Sequence, residues 1–154
     1  MPLVPSYIKQ LSSYKPGANI DDIKIEKSLK NVIKLASNEN SMGSSPLVIS
    51  AINKGLKKIN RYPDAAGKKL RKKLANKFDV KAENVIIGSG SEGIMSNILR
   101  TFLLTDDEII GSANSFIGFR VLATATGRKI NWVEMKNHKI DLEGIKRNIN
   151  DYTK

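Results

Sequence analysis

The sequence contains no cysteine, one histidine and one tryptophan among its 154 residues. Without cysteine there is neither a disulfide framework nor a thiolate metal site, and we predict no metal; His138 is interpreted as a loop residue. No apolar run approaches the roughly 18–20 residues that cross a bilayer. The first ten residues also lack the apolar core of a signal peptide. These absences favour a cytoplasmic protein with no membrane partner.

The net charge of +11 is the unusual bulk property of the chain. Such a charge suggests nucleic acid, but the basic residues are spread along the sequence. The longest cluster, residues 68–73, lies in a helical pattern in which Leu70, Leu74 and Phe78 form the apolar stripe. We therefore interpret the cluster as a solvated helix face and predict no nucleic-acid partner. The positive charge still suits a protein with phosphate or carboxylate ligands.

The chain alternates between short β-branched runs and helical patterns, with short connections. Residues 1–30 form an arm, and residues 31–154 form one domain without internal repeats. Strands are predicted at 32–36, 85–87, 108–110 and 129–135. Helices are predicted after Ser45-Pro46, after residue 91, at 115–125 and after a capping Asp141. Short strand–helix–strand connections indicate a mainly parallel sheet with flanking helices, an α/β fold.

A Gly-Ser segment, Gly88 to Glu92, lies between a predicted strand and a predicted helix. The first turn of a helix presents unpaired N–H groups and a partial positive charge, and glycine allows an anion to approach the backbone. This position indicates a phosphate loop. A strand-to-helix turn also uses Gly and Ser for backbone reasons alone, and the segment matches neither the Walker pattern nor the dinucleotide fingerprint.

Four motifs, in order, carry a resemblance to a known family. Residues 35–40 read LASNEN, residues 61–64 read RYPD, residues 88–91 read GSGS, and the arm contributes residues 11–17. The chain resembles the N-terminal portion of the histidinol-phosphate aminotransferases, which are class I/II pyridoxal-phosphate (PLP) enzymes. The resemblance implies the N-terminal arm and the first part of the large domain of a fold-type I PLP-dependent transferase. The rest of that domain and the small domain would be absent.

The resemblance implies a PLP site. Gly90, Ser91 and Glu92 would contact the PLP phosphate, largely through backbone N–H groups. Phe116 occupies the place of an aromatic residue that stacks on the pyridine ring, a role that needs only a flat apolar face. Tyr62 would donate its hydroxyl to the phosphate of the neighbouring subunit, since members of the family are homodimers.

Tyr14 and Asn38 would lie near the amino-acid substrate. Without the resemblance, Tyr62 is an ordinary turn residue and Phe116 an ordinary core residue of its helix. The family usually has an acidic pair after the loop serine, whereas this chain has Glu92-Gly93. That departure places a longer carboxylate and a glycine at the start of the helix.

The activity implied is transfer of an amino group between histidinol phosphate and 2-oxoglutarate in histidine biosynthesis, or use of an aromatic amino acid. The family's Schiff-base lysine follows a serine, and this sequence contains no Ser-Lys dipeptide. We therefore predict that this chain has no catalytic lysine and is inactive alone. The alternative is a non-catalytic module that binds a phosphate-bearing ligand or pairs with a separately encoded half.

Overall fold

A computed structural model describes residues 3–12 and 16–154. The helices are α1 (Ser6–Lys9), α2 (Ile20–Lys27), α3 (Pro46–Gly55), α4 (Lys68–Phe78), α5 (Gly90–Phe102), α6 (Ile117–Ala125) and α7 (Leu142–Asn148). Short 3-10 turns cover Leu56–Lys58 and Ala82–Asn84, and the strands are β1 (Glu108–Ser112) and β2 (Lys129–Val133). No helix in these two described stretches is long and apolar enough to span a bilayer.

The described chain separates into two compact units, residues 16–65 and residues 66–154 with the first segment, 3–12. The smaller unit contains α2 and α3, and the larger contains all the strands. The division into an arm at 1–30 and a domain at 31–154 stays a prediction.

The two strands pair in parallel, from Glu108 beside Lys129 to Ser112 beside Val133. This pairing confirms the predicted parallel arrangement. One face of the sheet packs against α5 and α6, where Ile109 meets Leu99 and the fully buried Ala123 in the core. Around this core lie partly buried side chains, namely Leu103, Phe119, Leu122 and Ile130. Apolar residues at helical spacing in α5 and α6 thus bury the face of the sheet that these helices cover.

The other face of the sheet packs against α7. Gly144 of α7 is buried, and a Cβ atom there would lie 2.9 Å from Cγ1 of Val133, so glycine lets the helix approach β2 closely. The Asp141 side chain accepts a hydrogen bond of 2.9 Å from the Gly144 N–H, which confirms the predicted cap. Helices on both faces of a parallel sheet confirm the α/β class.

Two of the predicted strands are wrong. Residues 32–36 and 85–87 have an extended or irregular backbone but belong to no strand of the described sheet. Their apolar side chains are largely exposed, with 86% of Ile33 and 78% of Ile86 accessible. A strand needs a hydrogen-bonded neighbour, and β propensity reports how side chains pack rather than a preference of the backbone alone.

Smaller differences concern the ends of elements. The helix predicted at 115–125 begins at Ile117, and the strand predicted at 129–135 ends at Val133. Ser45 occupies the N-cap position of α3, but its side chain makes no capping hydrogen bond. Helix α6 ends as expected, because Gly127 adopts a positive φ of 70° just after it.

Glu108 anchors the start of β1. Its buried carboxylate accepts hydrogen bonds from Lys129 at 2.5 Å, Asn131 at 3.1 Å and Asn150 at 3.2 Å. Its backbone pairs with the end of the chain, since its N–H donates to the Tyr152 carbonyl at 2.8 Å. The hydrogen bond from Lys129, followed by that from Asn150, lowers the pKa of Glu108 below its ordinary value. The ion pair with Lys136 and the Gly144 N–H likewise lower the pKa of Asp141.

We expect the stability of the fold to fall in acid because of these two carboxylates. A depressed pKa means that the folded state binds fewer protons, so the stabilisation is complete above the ordinary carboxyl pKa of about 4 and is lost as the pH falls through the folded value. Glu108→Gln should lower stability at pH 7 and flatten its dependence on pH below about 5. Urea unfolding from pH 7 to pH 3 measures this. Glu134→Gln, at an exposed residue, is the control and should leave the dependence unchanged.

Candidate functional site

The phosphate loop predicted from the sequence forms the start of α5. Gly90 is the first residue of the helix, with a positive φ of 75°, and its N–H donates to the Gly88 carbonyl at 3.0 Å. The space where a side chain would stand on Gly90 is open, with no atom within 4 Å. The Ser89 side chain makes no capping hydrogen bond to the first turn. An anion can therefore reach this turn without competition from a cap.

The packing of α5 explains why the loop lies there. Leu99 is buried in the core, whereas Gly90, Ser91 and Glu92 are all exposed. A Cβ atom on Gly88 would lie 2.7 Å from Cδ1 of Ile94, so glycine allows the loop to turn closely over the helix. The apolar face thus fixes the helix and leaves its first turn open to solvent.

Phe116 lies at the start of the neighbouring helix. It is the N-cap residue of α6 and is 56% exposed, so its interpretation as a core residue of the helix is wrong. Its carbonyl accepts from the Phe119 N–H at 3.1 Å, which fixes the first turn behind it. The ring is therefore available to stack against a ligand.

The structure brings Phe116 and Glu92 together at Gly118. A Cβ atom on Gly118 would lie 2.5 Å from Cε1 of Phe116 and 2.6 Å from Oε1 of Glu92. Because both atoms lie so close to one point, they are within about 5 Å of each other. The side chain of Glu92, from the first turn of α5, therefore reaches the first turn of α6, where the partial positive charge of the helix end favours a carboxylate.

The remaining predicted residues belong to other parts of the chain. Tyr62 is fully exposed in the smaller unit, between α3 and α4. Asn38 lies in the same unit, in a turn where Ser37 and Asn38 have positive φ values of 68° and 51°; asparagine tolerates this conformation better than most residues. Tyr14 lies outside the described residues. The roles given to these side chains stay predictions.

Sequence reasoning missed two arginines that hold the site in place. The charge pattern predicts that Arg71 belongs to a solvated basic cluster, yet in the structure it is half-buried and donates to the Val85 carbonyl at 2.9 Å and the Ala82 carbonyl at 2.8 Å. It thereby ties α4 to the segment that leads into the phosphate loop. The one signal in the sequence is an arginine among lysines. The planar guanidinium of arginine can donate several hydrogen bonds at once, which an ammonium group does less well.

Arg120 holds the start of α6 to the end of β1. Its Nη1 donates to the Ala113 carbonyl at 2.9 Å, and its guanidinium lies 4.6 Å from the centre of the Trp132 ring. Phe119 meets the same ring edge-on at 6.2 Å. These contacts join three separate elements, so no local pattern predicts them. Within the described parts of the chain, no cluster of acidic or histidine side chains could hold a metal ion.

We expect Arg71→Met to destabilise the larger unit. The substitution leaves the Val85 carbonyl without its arginine donor and removes one of the two hydrogen bonds to the Ala82 carbonyl, which still accepts from the Val85 N–H, at a cost of about 1–3 kcal/mol. Urea unfolding followed by circular dichroism measures the change. Lys72→Met removes the same charge from the neighbouring exposed position and should change stability by less than about 0.5 kcal/mol. Equal effects of the two substitutions would contradict the bracing role of Arg71.

Comparison with known proteins places this chain in a family. Residues 30–154 match the family model of the class I and II aminotransferases. A histidinol-phosphate aminotransferase from Anaeromyxobacter sp. (strain Fw109-5) is 37% identical over 100% of this chain and 43% of that protein. Another from Shouchella clausii (strain KSM-K16) is 37% identical over 99% of this chain and 42% of that protein. The chain thus spans less than half the length of these relatives.

Solved structures show the same fold. The histidinol-phosphate aminotransferase from Sinorhizobium meliloti, in complex with pyridoxal-5'-phosphate, aligns with a TM-score of 0.77 at 21% identity, over 94% of this chain and 38% of that one. A single mutant of Thermus thermophilus aspartate aminotransferase aligns with a TM-score of 0.74 at 19% identity, over 100% of this chain and 44% of that one.

At these identities the structural likeness shows the fold alone, which is that of the fold-type I PLP-dependent transferases, as predicted. The family indicates PLP as the cofactor, also as predicted. On the match of its residues 30–154, the chain belongs to the class I and II aminotransferases.

Proposed function

We propose that this chain supplies the phosphate-binding part of a cytoplasmic, PLP-dependent aminotransferase that uses histidinol phosphate and 2-oxoglutarate in histidine biosynthesis. The observation that carries the proposal is the open, uncapped first turn of α5 beside the exposed ring of Phe116. The names of two similar curated relatives support histidinol phosphate as the substrate. The fold does not decide the substrate, because an aspartate aminotransferase shares it.

The residues present fit a phosphate-bearing aromatic cofactor. Gly90, Ser91 and Glu92 would contact the phosphate. Ser91 and Glu92 would donate their backbone N–H groups, since that turn is exposed, and Gly90, whose own N–H donates to the Gly88 carbonyl, would leave room for close approach. Phe116 would stack on the pyridine ring and orient it. When bound, PLP supplies an electron sink for the negative charge that develops at the substrate Cα.

Tyr62, Tyr14 and Asn38 would complete the site from other parts of the assembly. We propose that Tyr62 reaches the phosphate of a second subunit in a homodimer, and its full exposure is compatible with such a role. Exposed apolar side chains on α3 favour association, because burying them removes apolar area from water. The most exposed of these are Leu47, Val48 and Ile52. Tyr14 and Asn38 would contact the substrate.

Binding of PLP to the 154-residue chain tests the proposed site. Trp132 is the only tryptophan, so its emission, which overlaps the absorption of PLP, reports binding without any catalytic step. Gly90→Ala should weaken binding at least tenfold, because a side chain at φ 75° strains the backbone of the loop. Gly43→Ala is the matched control, with a φ of 83° and equally open surroundings.

Two outcomes would contradict the assignment of the loop. One is wild-type protein that shows no saturable quenching by PLP. The other is a loss of affinity that is the same in Gly43→Ala as in Gly90→Ala, since the effect would then follow from backbone strain anywhere in the chain.

We expect no turnover of histidinol phosphate by these 154 residues alone. Transamination needs an amine that bonds to the cofactor and moves the proton at Cα, and the Ser-Lys dipeptide of the family does not occur in this sequence. An assay of glutamate formation from histidinol phosphate and 2-oxoglutarate measures this. Turnover that co-purifies with the chain through two chromatographic steps would overturn the expectation.

A further inference from the structure

The turn that carries Asn38 has a strained backbone. Two consecutive residues, Ser37 and Asn38, have positive φ values of 68° and 51°, a region that residues with a Cβ atom seldom occupy. Both residues are exposed, so burial of their own side chains does not hold the backbone in this form. A strained conformation persists only where the surrounding structure fixes it, so the segments on either side of the turn must supply the restraint.

An ion pair joins those two segments. Lys34 lies before the turn and Glu39 directly after it, and the lysine Nζ donates to Oε1 of Glu39 at 2.7 Å. Only 18% of the Lys34 side chain is exposed, against 53% of Glu39. The lysine is therefore restricted by its surroundings, and the pair is screened less than one in which both groups are fully in solvent. The contact closes a loop of the chain around Ser37 and Asn38.

The segment that leaves the turn is fixed as well. The Asn40 side chain accepts from the Met42 N–H at 3.1 Å and donates to the Gly43 carbonyl at 3.0 Å. These two hydrogen bonds hold a second turn immediately after Glu39. The carboxylate that receives Lys34 thus belongs to a backbone with its own local restraint.

The arm passes close to the same turn. A Cβ atom on Gly17 would lie 3.0 Å from Oγ of Ser37 and 3.6 Å from Cβ of Ala36, so glycine allows the arm backbone to approach the turn. The restraint on the turn therefore comes from three directions: the ion pair across it, the second turn after it and the arm beside it.

We infer that Lys34 and Glu39 are positioning residues for the substrate, because their ion pair holds Asn38 in the left-handed conformation that presents its side-chain amide. This inference rests on the proposed function, in which Asn38 contacts the substrate. An amide can both donate and accept hydrogen bonds, but its direction depends on the backbone that carries it. A turn fixed before the substrate arrives loses less conformational entropy on binding.

Nuclear magnetic resonance of the 154-residue chain tests the role of the ion pair. A positive φ brings the amide and Hα protons of one residue close together, so wild-type Asn38 should show a strong Overhauser effect between them. Lys34→Met keeps the aliphatic stem but removes the ammonium group, and it should reduce this effect by about half as other conformations become populated. Glu39→Ala should act alike, and the double variant should add nothing, because both remove one interaction.

Two matched variants serve as controls. Lys34→Arg keeps the positive charge and the donors, so it should retain the Overhauser effect of the wild type. Lys27→Met removes the lysine of another ion pair, which joins Nζ of Lys27 to Oε1 of Glu26 at 2.7 Å. Those two residues are adjacent in α2 and enclose no turn, so this substitution should leave Asn38 unchanged.

Titration with histidinol phosphate tests the link to the substrate. In the wild type, the side-chain amide resonances of Asn38 should shift and saturate. In Lys34→Met the apparent Kd should rise about twofold, because apparent affinity falls with the fraction of protein in the competent conformation. Lys34→Arg should bind as the wild type does.

The outcomes separate the two proposals. The positioning role is overturned by an unchanged Overhauser effect in Lys34→Met, by an equal loss in Lys27→Met, or by additive effects of Lys34→Met and Glu39→Ala. Wild-type Asn38 resonances that do not respond to histidinol phosphate would overturn the substrate contact in the proposed function, whereas the Overhauser series would still decide whether the ion pair holds the turn.

Discussion

The contact of Ile109 with Leu99 and Ala123 sets the geometry of the candidate site. It fixes α5 and α6 side by side over β1, so the Glu92 side chain of α5 reaches Gly118 in the first turn of α6. Ala123 is completely buried, and a larger side chain there would push a helix off the sheet. Neither the phosphate loop nor Phe116 is itself buried. Their relative position therefore depends on apolar packing one to three turns further along each helix.

Elements whose packing partners lie nearby in sequence were predictable. Strands β1 and β2 and the intervening α6 form one parallel crossover, and the apolar pattern of each was enough to place it. The strands expected at 32–36 and 85–87 have a similar β-branched pattern, but the described residues provide no neighbour for their backbones. A sequence pattern records which side chains suit burial, whereas a strand exists only where a second backbone completes the ladder.

The candidate site was predictable to the same extent. The Gly-Ser segment was predicted from its position between strand and helix and Phe116 from the family resemblance, and the structure places Glu92 and Phe116 beside each other. The supporting arginines were not identifiable, because Arg71 and Arg120 act on carbonyl groups of other elements. Such contacts depend on which residues lie close together in the folded chain, and neither hydrophobic periodicity nor a count of charges gives that information.

Net charge and directed backbone N–H groups have separate roles in this chain. Its net charge of +11 favours anionic ligands in general, whereas in the proposed site selection would come from the directed N–H groups of the loop. The bracing by Arg71 matters for the same reason, because it limits the movement of the segment that precedes Gly88. A loop held in this way loses less conformational entropy when it binds an anion, so a few backbone hydrogen bonds can suffice.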